Sequence, residues 1–178
     1  MRITGGAARG RVIEGPEGLE LRPTGSKVRQ AFFNILQNKL YGSSFLDVCA
    51  GTGLMGIEAM SRGAASLIAV EENRKIAKTI ESNLKRLGFE AEVICADLRR
   101  VLPVLQERSF DIIYADPPYK GGLNETILQL VASHQLLNDE GVLIVEHLRS
   151  LPMPEECEQL KRSSLRHYGQ SSLSFYSC

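Results

Sequence analysis

The chain has 178 residues, the length of one domain that can bury a substantial core. It is 43% hydrophobic and 24% charged, as soluble globular proteins are, and its formal net charge of zero argues against broad affinity for nucleic acids. No stretch approaches the roughly 18 apolar residues of a membrane-spanning helix, and the N-terminus lacks the apolar segment of a signal peptide. We therefore expect a cytoplasmic protein that does not enter a membrane.

The four cysteines are widely spaced, and the sequence has no Cys-x-x-Cys pair and no histidine at ligand spacing. Two of them, Cys49 and Cys95, lie in strand-like apolar runs, where a reduced cysteine behaves as a small hydrophobic residue. We therefore expect neither a metal site nor a disulfide framework.

Residues 1–24 are predicted to form a small extension with hairpin character, because glycines interrupt short strand-like runs. A helix is predicted over residues 26–40, with Ser26 as its N-cap. We divide the chain into this N-terminal extension, residues 1–42, and a core, residues 43–178. Residues 1–44 carry seven positive charges and three negative ones. On composition alone, a solvent-exposed surface is a sufficient explanation of this positive excess. The positive residues are Arg2, Arg9, Arg11, Arg22, Lys27, Arg29 and Lys39.

From residue 44 the pattern alternates between strands and helices. The predicted strands are 45–49, 66–71, 91–96, 110–115 and 141–146, and the predicted helices are 54–62, 73–87, 98–106 and 123–134. Strands rich in Val, Ile and Leu, each followed by a helix, predict a parallel sheet that is covered on both faces. The last segment differs, since residues 164–168 and 172–176 are typical of a closing hairpin.

Glycines follow the first core strand at Gly51, Gly53 and Gly56. This spacing fits dinucleotide and S-adenosylmethionine sites alike, and a plain strand–helix turn is the structural alternative. Asp47 lies within the strand, where a carboxylate in methyltransferases supports the glycine loop and faces the ammonium group of the methionine moiety. Its charge would repel a pyrophosphate but not a sulfonium ligand. The residues predicted here to bind the cofactor are Asp47, Ala50, Gly51, Thr52 and Gly53.

Acidic residues also follow the next two predicted strands. Glu71 is placed to accept hydrogen bonds from both ribose hydroxyls, while Glu72 is the acid that a helix start favours. Asp97 has two interpretations that the sequence leaves open, since it can accept from an adenine amino group or only cap a helix. Leu98 would pack near the adenine ring.

The fourth predicted strand ends in Asp116-Pro-Pro-Tyr119, at the same edge of the sheet as the glycine loop. An amino group on an aromatic ring is a poor nucleophile because its lone pair is delocalised. The Asp116 carboxylate and the Pro117 carbonyl can accept its N–H groups, and Pro117 and Pro118 hold that geometry because their φ angles are restricted. Tyr119 can stack on an extruded base, for roughly 1–3 kcal/mol. Simple termination of a strand is the structural alternative.

These features predict the fold of class I S-adenosylmethionine-dependent methyltransferases. We expect a Rossmann-like α/β domain whose mainly parallel seven-stranded sheet ends in a C-terminal antiparallel hairpin. The motifs resemble those of the RsmD family, the bacterial guanine-N2 methyltransferases of small-subunit ribosomal RNA, over nearly the whole chain. The matching segments are Arg2-Ile-Thr-Gly-Gly, Gly10-Arg11, Leu21-Arg-Pro-Thr24, Val28-Arg29, Phe33-Asn-Ile-Leu36, Leu46-Asp-Val-Cys-Ala-Gly-Thr-Gly53, Gly56-Ile-Glu-Ala-Met-Ser-Arg-Gly-Ala64 and Asp116-Pro-Pro-Tyr119.

The resemblance implies methyl transfer from S-adenosylmethionine, without a metal, to the N2 atom of one guanine in 16S rRNA. It also implies that the substrate is a small-subunit ribonucleoprotein, and we expect the enzyme to act as a monomer. The basic extension becomes a candidate RNA contact. By this resemblance Arg22 and Thr24 would lie beside the cofactor and base pocket, and Arg9, Arg11 and Arg29 would lie nearer the phosphates.

Other functions compete with this one. The same chemistry could act on adenine N6 in DNA or RNA, or on a glutamine side chain of a protein. An NAD-dependent oxidoreductase would use the same glycine spacing but would leave Asp116-Pro-Pro-Tyr119 without a role. A non-catalytic RNA-binding factor could retain the fold alone.

Overall fold

Strands and helices alternate through the centre of the chain, as the sequence predicts. The computed structural model describes residues 1–15, 25–118 and 122–178. The helices are α1 (Ser26–Ile35), α2 (Gln37–Leu40), α3 (Leu54–Ser61), α4 (Arg74–Leu87), α5 (Leu98–Val104) and α6 (Leu123–Ser133). The strands are β1 (Ser44–Val48), β2 (Ser66–Val70), β3 (Glu92–Ile94), β4 (Phe110–Ala115), β5 (Leu137–Leu148), β6 (Glu156–Cys157), β7 (Leu160–Tyr168) and β8 (Ser171–Ser177).

The strands form one sheet in the order β3-β2-β1-β4-β5-β8-β7-β6. Strands β1 to β5 are parallel, and β8 runs antiparallel between β5 and β7. This is the predicted parallel sheet with an inserted antiparallel strand. Among the described residues it has eight strands rather than the predicted seven, because the two-residue β6 pairs with the start of β7 at the edge. The strand order reverses between β1 and β4, which is where open α/β sheets bind ligands.

Alternating apolar residues of the strands supply two hydrophobic layers, one on each face of the sheet. On β1, Phe45 belongs to the layer that α1, α3 and α4 cover, and Leu46 belongs to the layer under α5 and α6. Full burial of one such side chain contributes roughly 1.5–3 kcal/mol. Among the described helices, none is long and apolar enough to cross a membrane.

The first thirteen residues pair as a hairpin, as predicted for residues 1–24, and residues 16–24 lie outside the described part of the chain. The backbone N–H groups of Ile3 and Ile13 donate to the carbonyls of Arg11 and Met1, at 3.0 and 2.8 Å. The side chains of Ile3 and Ile13 are buried in the same layer as α1 and α4. The described part of the extension therefore packs on the core, and its division from the core at residue 42 stays a prediction.

The predicted helix over residues 26–40 differs from the observed one in two respects. It divides at Leu36 into α1 and α2. Its N-cap is Gly25, and no side chain makes a capping hydrogen bond there. The prediction that Ser26 caps the helix is therefore wrong, because Ser26 is itself the first helical residue.

Candidate active site

A cavity of about 960 Å³ opens beyond the carboxyl ends of the parallel strands. The loop after β1 and the Asp116-Pro-Pro turn after β4 both line it, so the two loops meet at one edge of the sheet as the sequence predicts. Among the described residues, its lining also includes the start of α1 and the turn between β7 and β8. The predicted site residues on its wall are Ala50, Gly51, Thr52, Glu71, Asp97, Leu98, Asp116, Pro117 and Pro118.

The loop after β1 depends on its glycines for its shape. Gly51 and Gly53 have φ angles of 54° and 73°, in the left-handed region where side chains are strained. A Cβ added at Gly53 would lie 2.9 Å from Cγ1 of Ile80 on α4. Gly53 therefore lets α4 approach the loop closely, while Gly51 and Thr52 face the cavity.

Asp47 lies behind this loop. Its side chain is 1% exposed, and its Oδ2 accepts a hydrogen bond of 2.9 Å from the backbone N–H of Gly56. Burial raises the pKa of Asp47 to about 7, although the Gly56 hydrogen bond opposes the shift. Asp47 is not among the described residues that line the cavity. It holds the start of α3, and its expected position facing the ammonium group of the methionine moiety stays a prediction.

We predict that Asp47→Asn flattens the dependence of stability on pH. The pKa of Asp47 in the folded state lies above its ordinary value of 3.8, so the folded state retains a proton that the unfolded state loses. The stability from this proton is complete below about pH 4 and is lost as pH rises through about 7. Asparagine does not titrate, and its carbonyl oxygen can still accept from Gly56. Urea unfolding at pH 5 and pH 8 measures the difference.

The exposed Asp139 offers a matched control for this measurement. Asp139→Asn should keep the pH slope of the wild-type protein, whereas Asp47→Asn should be more stable than the wild-type protein at pH 8. Equal pH dependence of stability in the wild-type protein and in Asp47→Asn would contradict the raised pKa of Asp47.

Glu71 follows β2 and connects the glycine loop to the start of α4. Its two carboxylate oxygens accept from the backbone N–H groups of Gly51 and Asn73, at 2.9 and 2.8 Å. Burial raises the pKa of Glu71, and these hydrogen bonds oppose the shift. The N-cap of α4 is Asn73 rather than Glu72, which lines the cavity as an exposed acid. The contact of Glu71 with ribose stays a prediction.

Asp97 caps α5 and also lines the cavity. Its Oδ1 accepts from the backbone N–H of Arg99 at 2.8 Å, and the Arg99 guanidinium pairs with the carboxylate. These contacts lower the pKa of Asp97 to about 2. The capping interpretation is therefore confirmed, and the adenine contact of Asp97 stays a prediction. Leu98 is buried on the cavity wall beside it.

Asp116 follows β4 directly and is half-buried, with Pro117 buried and Pro118 exposed next to it. Tyr119 lies outside the described residues. Glu146 on β5 is a further acid that lines the same cavity, is 3% exposed and is not among the residues predicted from the sequence. An acid at the end of the apolar run 142–145 was the signal that could have identified it.

The cavity has a negative electrostatic character next to the glycine loop. Burial raises the pKa of the Cys49 thiol, and the negative charges of Glu71, Asp47, Asp116 and Glu72 raise it further. Of these four acids, Glu71, Glu72 and Asp116 line the cavity at the end of β1, where their negative charges would favour a cationic ligand. The described residues contain no group of three or more His, Cys, Asp or Glu side chains that could hold a metal ion.

The described basic residues that were predicted to contact RNA differ in exposure, since two lie on the surface and one is buried. Arg9 and Arg11 are exposed on the hairpin, and Arg11 donates to the carbonyl of Arg86 at 2.8 Å. Arg29 is only 7% exposed, and its Nε lies 3.1 Å from a carboxylate oxygen of Glu58. The predicted phosphate contact of Arg29 is corrected, because this guanidinium is buried and paired. Arg22 and Thr24 lie outside the described residues.

Comparison with known proteins places the chain among methyltransferases. The family described as "Conserved hypothetical protein 95" matches residues 1–177. YlbH of Bacillus subtilis, named for a proposed rRNA methyltransferase activity, is 34% identical over 99% of this chain and 98% of its own length. Ribosomal RNA small subunit methyltransferase D of Escherichia coli is 34% identical over 82% of this chain and 74% of its own length.

The fold agrees with this relationship. The solved structure of yhhF from Escherichia coli, a methyltransferase by name, superposes with a TM-score of 0.87 at 30% identity. The match covers 99% of this chain and 96% of that one. The predicted class I methyltransferase fold is thereby confirmed. The chain belongs to the RsmD family, as the resemblance of its motifs predicts.

Proposed function

We propose that this protein transfers a methyl group from S-adenosylmethionine to the exocyclic N2 atom of a guanine in 16S rRNA, in the bacterial cytoplasm. The observation that carries the proposal is that the glycine loop, the strand-end acids and the Asp116-Pro-Pro turn line one cavity. The relatives named as ribosomal RNA small subunit methyltransferases support the choice of an RNA substrate. A small-subunit ribonucleoprotein as substrate and a monomeric enzyme are part of the same proposal.

The cavity residues fit this cofactor in charge and shape. The cofactor supplies a methyl group that is bonded to a positively charged sulfur. The left-handed glycines let the backbone of the loop approach a ligand closely, and the surrounding acids favour its positive charge. Glu71 would accept from the ribose, and Asp97 with Leu98 would receive the adenine.

The acceptor amino group would be held by the turn after β4. Its N–H groups would donate to the Asp116 carboxylate and the Pro117 carbonyl, which directs the nitrogen lone pair away from the ring. The two prolines have restricted φ angles and no N–H, so this arrangement needs little reorganisation. Positioning of this kind is the main requirement of an in-line transfer. Stacking of the base on Tyr119 is proposed from the sequence.

The experiment is methyl transfer with labelled S-adenosylmethionine. We expect label in 16S rRNA of small ribosomal subunits from a strain that lacks this gene, with N2-methylguanine as the product in nucleoside mass spectrometry. DNA and a release factor serve as the competing acceptors, for adenine N6 and glutamine methylation. Label in N6-methyladenine or in protein alone, or no transfer to any acceptor, would overturn the proposal.

A further inference from the structure

One wall of the cavity is formed by the start of α1 and by the turn between β7 and β8, residues 25–28 and 168–171. We propose that this outer wall binds the nucleotide next to the target guanine in the RNA strand. The base of that nucleotide stacks on Tyr168, and its phosphate lies beside Lys27. The inference rests on the proposed function and adds a second nucleotide site to it.

The strand order separates the outer wall from the predicted cofactor residues. Gly51, Glu71 and Asp97 follow β1, β2 and β3, which lie on one side of β4. Strands β8 and β7 lie on the other side, and β7 ends at the cavity edge because it runs parallel to β5. Tyr168 at its end is three inter-strand spacings from Asp116, about 14 Å along the sheet. This backbone separation exceeds the width of one purine, so a base bound at the turn after β4 leaves Tyr168 for a neighbouring nucleotide.

Tyr168 has the surroundings of a stacking platform. It is half-buried, lines the cavity and packs against the hydrophobic layer that α1, α3 and α4 cover. Val28 of α1 belongs to the same layer and to the same wall. A ring that is already held by packing loses little conformational freedom when a base stacks on it. Every base has a flat face, so such a platform accepts a neighbouring base of any identity.

The charge of the outer wall fits a phosphate. Among its described residues Lys27 is the charged one, and its side chain is exposed. Two exposed arginines lie close by in the chain or in the fold. Arg166 is two residues before Tyr168, and the backbone N–H of Arg149 donates to the carbonyl of Gln170 at 2.8 Å. An RNA strand, rather than the cationic cofactor, is therefore the ligand that this wall favours.

Abasic substrates test the base contact directly. The methylated guanine is first mapped by mass spectrometry, and small subunits are reconstituted from 16S rRNA that lacks the base on its 5′ or on its 3′ side. We expect one of the two abasic positions to lower kcat/KM of the wild-type enzyme by about 5- to 150-fold, the range of base–aromatic stacking. In Tyr168→Leu the same abasic position should change kcat/KM less than about twofold, because the contact is already lost. A wild-type enzyme that is insensitive to both abasic positions would overturn the inference.

Two variants separate stacking from packing. Tyr168→Leu keeps an apolar side chain against the hydrophobic layer but removes the ring, so KM for unmodified subunits should rise by about 5- to 150-fold. Tyr168→Phe keeps the ring and should stay within about threefold of the wild type. An equal rise in KM in both variants, or weaker binding of S-adenosylmethionine to Tyr168→Leu, would refute the stacking role. Tyr41 is 86% exposed before β1, at the opposite edge of the sheet, so Tyr41→Leu is the matched control and should keep the wild-type KM.

The phosphate contact has a salt dependence of its own. Lys27→Gln should reduce the slope of log kcat/KM against log salt concentration by about 0.7, as expected for one phosphate of a single strand. Lys161 is exposed at the start of β7, at the edge away from the cavity, so Lys161→Gln should keep the wild-type slope. An unchanged slope in Lys27→Gln would exclude the contact.

The outcomes distinguish this inference from the proposed function. If the wild-type enzyme methylates no guanine, the proposed function fails. If it methylates a guanine and tolerates both abasic positions, the inference fails and the proposed function stands. Should Tyr168→Leu not fold, Tyr168→Trp decides, because the chain contains no other tryptophan. Its fluorescence should be quenched by a saturating single-stranded RNA fragment with the sequence around the mapped guanine, and unchanged fluorescence would overturn the inference.

Discussion

Replacement of Asp116 by alanine is expected to reduce methyl transfer by about 10²- to 10³-fold, the loss typical of a preorganised group that stabilises charge in a transition state. In the proposed reaction this carboxylate accepts from the amino group while positive charge develops on the nitrogen, and the variant removes it. Single-turnover transfer to small ribosomal subunits measures the effect on chemistry. Calorimetric binding of S-adenosylmethionine should weaken far less than turnover, because the glycine loop and Glu71 are unaltered and Asp116 is only one of the acids on the cavity wall.

Two control variants test whether the loss of methyl transfer is specific to the Asp116 carboxylate. Asp116→Asn retains an acceptor oxygen but loses the charge, so its turnover should lie between those of the wild-type enzyme and Asp116→Ala. Asp139→Ala removes an exposed acid near the opposite end of β5 and should leave turnover unchanged. Wild-type turnover in Asp116→Ala would exclude the proposed role of this carboxylate.

The sequence predicted the part of the site that depends on local patterns. Apolar runs that end in glycine or in an acid locate strand ends, and parallel strands bring their carboxyl ends to one edge. The pattern predicted that Gly51, Glu71 and Asp116 line one cavity, as observed. It succeeded because the order and direction of the strands follow from the alternation of strands and helices.

The remaining features depend on contacts between distant residues. Asp47 has the residue type and position of a ligand-facing acid, but the Gly56 N–H holds it behind the loop. Arg29 has the charge of a phosphate contact, yet its partner Glu58 lies on another helix. A sequence pattern assigns a residue type to an element, whereas burial and pairing depend on how the elements pack.

Replacement of Glu58 is expected to have the largest effect on stability, since its side chain is 0% exposed and pairs with two guanidinium groups. Its oxygens lie 3.1 Å from Nε of Arg29 and 2.7 Å from Nη2 of Arg62. Glu58→Ala leaves the buried Arg29 without its counter-charge, so we expect a loss of about 3–5 kcal/mol in the free energy of unfolding. Urea denaturation of the purified variant measures this loss.

An exposed ion pair provides the matched control. Glu92 pairs with Arg108 at 2.7 Å, and both side chains are about half exposed. Glu92→Ala should therefore change the free energy of unfolding by less than about 1 kcal/mol. The double variant Arg29→Met/Glu58→Leu removes both buried charges and should recover much of the stability that Glu58→Ala loses.

The Glu58 carboxylate also joins the N-terminal hairpin to α3 through hydrogen bonds. Helix α3 begins at the glycine loop. Glu58 accepts from the backbone N–H and the hydroxyl of Thr4, fifty-four positions earlier in the chain. Ser61, one turn further along α3, accepts from the backbone N–H of Ala8 at 2.9 Å. Amide hydrogen exchange at Thr4 should therefore accelerate more in Glu58→Ala than exchange at Ala8. Uniform acceleration along the hairpin would instead indicate global unfolding, and unchanged exchange at Thr4 would refute the fastening role of Glu58.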